Sequence, residues 1–192
     1  MSLLGVVLAG GRSSRMGTNK AQLRWHGVPM LDRQVGLLKS SGCDAVVVSG
    51  PHVNGHHCIP DARPFRGPVA ALSTVVAKLS GLFCVAPGRM VVVPVDMPFL
   101  DAALIRHMAS HAAPLLAYAG HPLPLAMRVD AASSAVLAHH AQHPSPSLQE
   151  LWRMVPGAVW LPPENTAALG NANTPAEWEA IVRQERSSGR PS

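Results

Sequence analysis

Apolar residues along this chain fall into two alternating patterns. Short, nearly continuous apolar runs occur at Leu3–Leu8, Ala45–Ser49 and residues 90–95. Such runs predict β-strands that are buried on both faces of a sheet, and the last of them is nearly pure valine. Between them, residues 30–41 and 68–80 repeat apolar side chains at helical intervals. The first half of the chain is therefore predicted to alternate strand and helix.

The second half continues this pattern with shorter elements. Strands are predicted over Leu115–Tyr118, residues 123–128 and Val159–Leu161, and helices over residues 101–111, Ala131–His140, 147–155 and 174–185. Asp101 is placed to cap the first of these helices, and Thr174 with Glu177 has the pattern of a capping box that opens the last one. Residues 120–122 separate the first two strands, which fits either a hairpin or a mixed edge of the sheet.

Strands that alternate with helices predict a three-layer α/β/α fold, in which helices cover both faces of a mostly parallel sheet. Right-handed crossovers bring the C-terminal ends of parallel strands to one edge, and ligands bind outside that edge. Residues 51–66 are predicted to form a long loop on the same side. The chain shows no repeat or linker, so residues 1–186 are predicted to form a single domain, followed by a flexible tail at residues 187–192.

The composition excludes some classes of function. The chain of 192 residues has a formal charge of +5, which raises the question of nucleic acid. Its arginines are scattered and only 4% of its residues are aromatic, so no basic stripe or stacking platform is indicated. The longest apolar runs are far below the roughly 18 residues that cross a bilayer. Three isolated cysteines fit a reducing compartment, and we expect a cytoplasmic protein without membrane contact.

The segment from Leu8 to Lys20 has the composition of a phosphate-binding loop. It follows the first predicted strand and contains three glycines, two arginines and a lysine. Glycines let the backbone approach a ligand closely, and peptide N–H groups in such a bend bind anions. The spacing fits neither the Walker loop nor the G-x-G-x-x-G dinucleotide pattern. An ordinary turn with surface cations is the alternative, but the clustering favours a bound triphosphate.

Asp96 follows the valine-rich predicted strand. A carboxylate at the end of an apolar strand is poorly solvated unless it has a partner, and Mg²⁺ prefers carboxylate together with phosphate oxygens. The simpler alternative is that Asp96 caps the turn before Pro98, which aspartates often do. The sequence therefore indicates a metal-bound triphosphate held between Asp96 and the glycine-containing loop.

The loop L-A-G-G-x-x-x-R-M-G-x-x-K resembles the signature of the Rossmann-like nucleotidyltransferases, and in particular of the molybdenum cofactor guanylyltransferases. Further matching segments are Pro60-Asp61, Gly67-Pro68-Val69-Ala70-Ala71, Val95-Asp96-Met97-Pro98, His121-Pro122-Leu123-Pro124-Leu125-Ala126 and Asn171-Ala172-Asn173-Thr174-Pro175. The resemblance covers residues 4–178 and implies transfer of GMP from GTP to molybdopterin with release of pyrophosphate. It also implies a Mg²⁺ cofactor, with Mn²⁺ as a substitute.

The resemblance assigns roles to particular positions. It implies catalytic roles for Asp96, Lys20 and Arg15, with the metal on Asp96. The nucleotide-binding residues that it implies are Leu8, Ala9, Gly10, Gly11, Lys20, Asp61 and Asp96. On the molybdopterin side we expect His121, Arg128, Asn171 and Asn173. The implied protein partners are those that insert the molybdenum cofactor and the apo-molybdoenzymes, in transient contact.

Three positions depart from the family pattern and leave alternatives open. Asn19 replaces a frequent aspartate, Ser49 a frequent asparagine, and Ala71 a glycine. Each change puts a metal, base or ribose contact in doubt. The alternatives are a cytidylyltransferase that uses molybdopterin, a sugar-phosphate nucleotidyltransferase, or a GTP-binding regulator without catalysis. The Gly10-Gly11 pair favours guanine over cytosine.

Overall fold

A seven-stranded sheet forms the centre of the protein. The computed structural model describes residues 2–10, 20–62, 66–82, 87–163 and 166–188. Its strands are β1 (Leu3–Leu8), β2 (Arg24–Trp25), β3 (Val28–Pro29), β4 (Ala45–Ser49), β5 (Cys58–Ile59), β6 (Arg89–Pro94), β7 (Leu115–Tyr118), β8 (His121–Arg128) and β9 (Val159–Leu161). The large sheet has the order β5-β4-β1-β6-β8-β7-β9, and β2 with β3 forms a separate hairpin.

The helices connect these strands in the predicted alternation. They are α1 (Met30–Ser40), α2 (Gly67–Leu82), α3 (Ala102–Ser110), α4 (Ala131–His140), α5 (Leu148–Met154) and α6 (Pro175–Ser188). Asp101 caps α3 as predicted, because its side chain accepts a hydrogen bond from the Leu104 N–H at 2.8 Å. Among the helices that the structure describes, none is both long enough and apolar enough to cross a membrane.

The sheet is parallel at its centre and mixed on one side. β1 pairs in parallel with β4 and β6, β4 with β5, and β7 with β9. β8 is antiparallel to both of its neighbours, so β7 and β8 form a hairpin inside the sheet rather than at its edge. Because β7 and β6 both run opposite to β8, their C-terminal ends lie at the same edge of the sheet.

Two buried clusters cover the two faces of the sheet and confirm the three-layer prediction. Successive residues of a strand face opposite sides, so Val6 and Val92 belong to one cluster and Val7 and Val93 to the other. All four side chains are completely buried. Helices α2, α4 and α5 pack on the face of Val6 and Val92, and helices α1 and α3 pack on the face of Val7 and Val93. This explains why the central strands have nearly continuous apolar sequences.

The structure differs from the sequence-based elements at short strands and at the C-terminus. The β2–β3 hairpin was not predicted, because each of its strands has only two residues. Its turn consists of His26 and Gly27, both at positive φ. β5 lies inside the predicted loop 51–66. α6 includes residues up to Ser188, so it runs beyond the predicted end near Glu185 and into the segment 187–192 that was predicted to be a flexible tail. Residues 189–192 lie outside the described part.

The cysteines in the described part of the chain are free thiols, Cys43 and Cys58. Burial raises the pKa of the Cys43 thiol to about 12, with a smaller effect from the neighbouring Asp44 carboxylate. A thiol with so high a pKa stays protonated and packs as a small apolar group. Cys84, which the sequence places in the core, lies outside the described residues.

Candidate active site

The ends of β1, β4 and β6 meet at one edge of the sheet, which we call the Asp96 edge. The Ala9 N–H donates to the Ser49 carbonyl oxygen at 2.8 Å, and the Val95 N–H donates to the Leu8 carbonyl oxygen at 3.2 Å. The backbone that leads into the glycine-containing loop therefore lies between the end of β4 and the turn that contains Asp96. Parallel strands in register produce this meeting, as the sequence predicts.

Asp96 lies half-buried in the turn after β6. Its backbone carbonyl oxygen accepts a hydrogen bond from the Ala172 N–H at 3.1 Å. The carbonyl of the next residue, Met97, accepts one from the Gln34 side-chain amide at 2.8 Å. Gln34 is completely buried on α1. The turn that presents Asp96 is thus held from two directions, by the segment before α6 and by α1.

Gln34 is a site residue that the sequence analysis missed. Only its Nε2 can donate to a carbonyl oxygen, so the orientation of the amide is fixed by chemistry. Its Oε1 is buried and has no hydrogen-bond partner in the structure, as is true of Arg33 Nη1. Arg33 also donates from Nη2 to the Leu100 carbonyl oxygen at 3.1 Å. The only sequence signal was a polar pair within the apolar pattern of α1.

Asn171 and Asn173 flank Ala172 and are both exposed, so the structure places this predicted pair beside Asp96. The segment leads directly into α6. The Glu177 N–H donates to Thr174 Oγ1 at 3.2 Å, which is half of the predicted capping box. The Glu177 carboxylate accepts from the Asn173 N–H at 2.6 Å, one residue earlier than the capping-box pattern predicts. This contact orders the asparagine segment from the helix side.

Asp61 lies on the other side of β1 and approaches Gly10. Ser49 Oγ donates to Asp61 Oδ1 at 3.0 Å. A Cβ atom on Gly10 would lie only 2.6 Å from Asp61 Oδ2, so any other residue at this position would displace the carboxylate. Burial raises the pKa of Asp61, and the hydrogen bond from Ser49 partly opposes that shift. Ser49, one of the departures from the family pattern, therefore orients this carboxylate.

Gly50 is a second position that the sequence analysis missed. It has a φ of +148°, and a Cβ atom there would lie 2.9 Å from the backbone nitrogen of Gly10. Its own N–H donates to the Ile59 carbonyl oxygen at 3.1 Å. The two glycines allow the ends of β1 and β4 to approach each other. The available signal was the Ser-Gly pair immediately after the strand.

The described residues include only part of the cationic loop. Gly11, Arg15 and Asn19 lie outside them, and so does the side chain of Lys20. The backbone of Lys20 begins a short 3₁₀ turn, Lys20–Gln22, which packs against α1. Ala21 in this turn is buried in the same cluster as Val95 and Met97, the neighbours of Asp96. The chain therefore leaves the loop on the α1 side of the Asp96 edge.

His121 and Arg128 lie at opposite ends of β8, so they cannot serve one phosphate group. His121 begins the strand, on the side of the Asp96 edge. Arg128 pairs with Arg89 at the start of β6, and seven residue steps separate it from His121 by about 24 Å. Its guanidinium donates to the Ala112 carbonyl oxygen at 2.9 Å. Arg128 therefore lies at the edge of the sheet opposite Asp96, and the structure does not bring it together with the other residues predicted for the acceptor side.

The donor set at the Asp96 edge fits a metal that is shared with a substrate. Among the described residues, no group of three His, Cys, Asp or Glu side chains is arranged to hold an ion. Mg²⁺ commonly binds through one or two carboxylates, while phosphate and water supply its other ligands. Asp96 offers such a carboxylate, and the Val95–Leu8 hydrogen bond joins its turn to the backbone that leads into the glycine-containing loop. The arrangement suits a metal that arrives with a phosphorylated ligand.

Comparison with known proteins agrees with this geometry. Residues 5–155 match the family model of the MobA-like NTP transferase domain. The chain is 38% identical, over 94% of its own length and 94% of the relative's, to the molybdenum cofactor guanylyltransferase of Xanthomonas euvesicatoria pv. vesicatoria. The family model covers the glycine-containing loop, Asp61 and Asp96, and it ends before the asparagine segment.

Solved structures share the fold. The molybdopterin-guanine dinucleotide biosynthesis protein A of Archaeoglobus fulgidus superposes with a TM-score of 0.72 at 16% identity, covering 96% of this chain and 99% of that one. A protein of Mycobacterium tuberculosis H37Rv, solved in complex with manganese, gives a TM-score of 0.64 at 16% identity, covering 95% and 99%. At such low identity these likenesses concern the fold alone.

Proposed function

The chain belongs to the molybdenum cofactor guanylyltransferase family, and from this premise we propose that its Asp96 edge joins GMP from GTP to molybdopterin. The observation that carries the proposal is that the ends of β1, β4 and β6 meet at one sheet edge, through the Ala9–Ser49 and Val95–Leu8 backbone hydrogen bonds. Asp96 follows Val95, and we propose that its carboxylate binds the metal beside the loop that binds the phosphates. The bonds at this edge are made by the backbone and do not involve Ala71.

The nucleotide is proposed to lie over the β1–β4 side of the edge. Backbone groups of Leu8, Ala9, Gly10 and Gly11 would face it, since glycine permits close approach. Asp61 lies beside Gly10 and can accept hydrogen bonds from a base or ribose. This side of the edge is supported by contacts at the described residues, while the role of Gly11 rests on the family resemblance.

Asp96 is proposed to hold a divalent cation, Mg²⁺ or Mn²⁺, together with phosphate oxygens of the nucleotide. When bound there, such an ion acts as a Lewis acid that neutralises charge on the phosphates. The half-buried position of Asp96 favours pairing with an ion, because a carboxylate in that setting is only partly solvated.

Bond making and breaking balance without a protein nucleophile. An oxygen of the molybdopterin phosphate forms a bond to the α-phosphorus of GTP, and the bond from that phosphorus to the bridging oxygen breaks. The electron pair of the broken bond leaves with pyrophosphate. A phosphate monoester is already anionic near neutral pH, so positioning and charge neutralisation are what the protein must supply. We assign Lys20 and Arg15 to the leaving pyrophosphate, and Asn171, Asn173 and His121 to the acceptor side.

The proposed reaction takes place in the cytoplasm, where the finished cofactor would pass to insertion proteins or apo-molybdoenzymes in transient contact. Two observations support a reducing compartment: the free thiols of Cys43 and Cys58, and the isolation of all three cysteines in the sequence. Nucleic acid and membranes are not partners in this proposal.

The substitution Asp96→Asn tests the proposal, because it keeps the size of the side chain and removes its charge. Pyrophosphate release from GTP in the presence of molybdopterin and Mg²⁺ should fall by about 100-fold or more. Asp44→Asn is the matched control, since Asp44 accepts a hydrogen bond from the Leu3 N–H at 2.7 Å at the opposite edge of the sheet. Near-normal turnover of Asp96→Asn would remove Asp96 from the mechanism.

A further inference from the structure

A cavity of about 300 Å³ lies beside the Asp96 edge and has no role in the site described above. We call it the α3 cavity. One wall is a face of α3, and Tyr118 at the end of β7 closes another side. Its remaining wall is formed by Pro163, Ala168 and Leu169, which lie between β9 and α6 in the chain. The lining residues are Asp101, Ala103, Leu104, His107, Tyr118, Pro163, Ala168 and Leu169.

The α3 cavity is within reach of Asp96. Leu169 lines the cavity, and Ala172 donates its N–H to the Asp96 carbonyl oxygen. The three residue steps from Leu169 to Ala172 span at most about 11 Å in extended chain. The Asp96 carbonyl oxygen lies one hydrogen bond of 3.1 Å beyond the Ala172 N–H, so the backbone of Leu169 is close to Asp96. The sheet order gives a similar distance, since Tyr118 is two strand spacings, about 10 Å, from β6.

The cavity and the nucleotide contacts lie on opposite sides of Asp96. Gly10, Gly50 and Asp61 belong to the β1, β4 and β5 side of the sheet. Tyr118 belongs to the β8 and β7 side. A molecule that reaches Asp96 from the α3 cavity would therefore approach a bound nucleotide from the β8 and β7 side, and the nucleoside is proposed to lie on the other side.

The walls have the chemistry of a site for a flat, polar ring. Three lining residues, Tyr118, Ala168 and Leu169, are buried and give the cavity walls an apolar part. Asp101 and His107 are both exposed and line the cavity; Asp101 caps α3, and His107 lies about 9 Å farther along the helix axis. The Asp101 carboxylate accepts one hydrogen bond from the Leu104 N–H, and a carboxylate has capacity for several more. Asp101 can therefore accept hydrogen bonds from neighbouring N–H groups on a ring edge.

We propose that the α3 cavity binds the pterin ring of the acceptor. This inference rests on the proposed function, since that function supplies an acceptor with a phosphate at one end and a pterin at the other. The 2-amino-4-oxo edge of a pterin offers adjacent N–H donors, which match the Asp101 carboxylate. With the ring in the cavity, the phosphate end of the same molecule extends to Asp96.

The substitution Ala103→Trp tests the proposal by filling the cavity from its wall. The KM for molybdopterin should rise by about tenfold or more, while the KM for GTP stays unchanged. Arg106→Trp is the matched control, because Arg106 is exposed on α3 and does not line the cavity. An unchanged KM for molybdopterin in Ala103→Trp, with the variant folded by circular dichroism, would overturn the proposal.

A binding measurement separates this proposal from the proposed function. The probe is 6-hydroxymethylpterin, whose fluorescence polarisation is followed without nucleotide or metal. The wild-type protein and Asp96→Asn should bind it, and Asp101→Asn should bind about tenfold more weakly. Asparagine caps a helix about as well as aspartate, so Asp101→Asn leaves α3 intact.

The outcomes distinguish the two proposals. Pterin binding that Ala103→Trp abolishes, in a protein that releases no pyrophosphate, would support the α3 cavity and contradict guanylyl transfer. Active transfer together with pterin binding that is equal in wild type, Ala103→Trp and Asp101→Asn would leave the function standing and place the pterin elsewhere.

Discussion

At the residue scale, the nucleotide side of the site depends on atoms that lie unusually close together. Gly10 and Gly50 let two strand ends meet, and Asp61 fills the space that a side chain on Gly10 would need. Ser49 then fixes the carboxylate with a hydrogen bond of 3.0 Å. The result is a partly desolvated acidic group whose raised pKa costs stability whenever the group is ionised.

The substitution Asp61→Asn should therefore stabilise the fold at neutral pH. Because folding raises the pKa of Asp61, its contribution to stability is fully present below its unfolded pKa of about 3.9 and is lost as the pH rises through the higher folded value. Asparagine keeps an oxygen for Ser49 and carries no charge. The free energy of unfolding, measured with urea, should exceed that of the wild type at pH 7 and approach it at pH 3.

Asp130→Asn is a matched control of opposite sign. Hydrogen bonds from the Ser133 backbone and hydroxyl lower the pKa of Asp130 at the start of α4. Its stabilising contribution is therefore present above the unfolded pKa and is lost as the pH falls through the folded one. This variant should lose stability at pH 7. If Asp61→Asn and Asp130→Asn changed stability in the same direction at pH 7, the environment assigned to Asp61 would be wrong.

At the element scale, the turn that contains Asp96 depends on α6 and the β2–β3 hairpin. Trp25 in the hairpin makes edge-to-face contacts with Phe99 and Trp178, with ring centroids 5.2 and 5.8 Å apart. Trp178 lies in the first turn of α6, the helix that follows the asparagine segment. Ala172 in that segment donates its N–H to the Asp96 carbonyl oxygen. These three rings therefore hold the start of α6, and with it the asparagine segment, against the hairpin. They also hold in place the chain that follows the cationic loop, because Trp25 belongs to it.

The substitution Trp178→Ala should lower both stability and activity. The side chain is half-buried, so we expect a loss of about 2 kcal/mol, less than the 3–5 kcal/mol typical of a fully buried tryptophan. The kcat for guanylyl transfer should fall by about tenfold, because the Asn171–Ala172–Asn173 segment loses its support. Trp178→Phe keeps an aromatic contact and should recover most of the loss.

Trp160→Ala is the control for this element. Trp160 stacks on Trp152 with ring centroids 4.4 Å apart, on β9 at the far edge of the sheet. Its loss should affect stability without changing kcat. Equal losses of kcat in Trp160→Ala and Trp178→Ala would show that general destabilisation, and not support of the Asp96 turn, explains the result.

At the scale of the whole molecule, ligand specificity should appear as stabilisation of the folded state. A ligand that binds only the folded protein at about 100 times its Kd stabilises it by about 2.7 kcal/mol. For a chain of this size, that corresponds to a rise in Tm of about 5–10 °C. Thermal unfolding with each of the four nucleoside triphosphates and Mg²⁺ should show this rise for GTP alone.

The same measurement discriminates the alternatives. A rise with CTP and not GTP would indicate a cytidylyltransferase instead. A rise with GTP, without pyrophosphate release when molybdopterin is added, would indicate a regulator that does not catalyse transfer. Omitting Mg²⁺ should reduce the GTP effect, since Asp96 and the triphosphate repel each other without a cation between them.

The sequence by itself determined the layered fold and the main components of the site. Valine-rich runs buried on both faces require helices above and below them, so β1, β4 and β6 could be placed from their patterns. Parallel strands end at a common edge, which is why Ala9 and Asp96 could be brought together before any coordinates. The family motifs indicated the chemistry in addition, because they preserve the residue types that line this edge.

The tertiary structure was needed to show which residues lie at the Asp96 edge and which lie away from it. The bond from Gln34 to the turn after Asp96 spans 63 positions, and no local pattern encodes such a contact. The resemblance placed Arg128 with His121 on the molybdopterin side, but the two residues lie at opposite ends of β8, and Arg128 pairs with the start of β6. Local patterns are set by short-range sterics and periodic burial, whereas strand order and side-chain contacts depend on packing between distant segments.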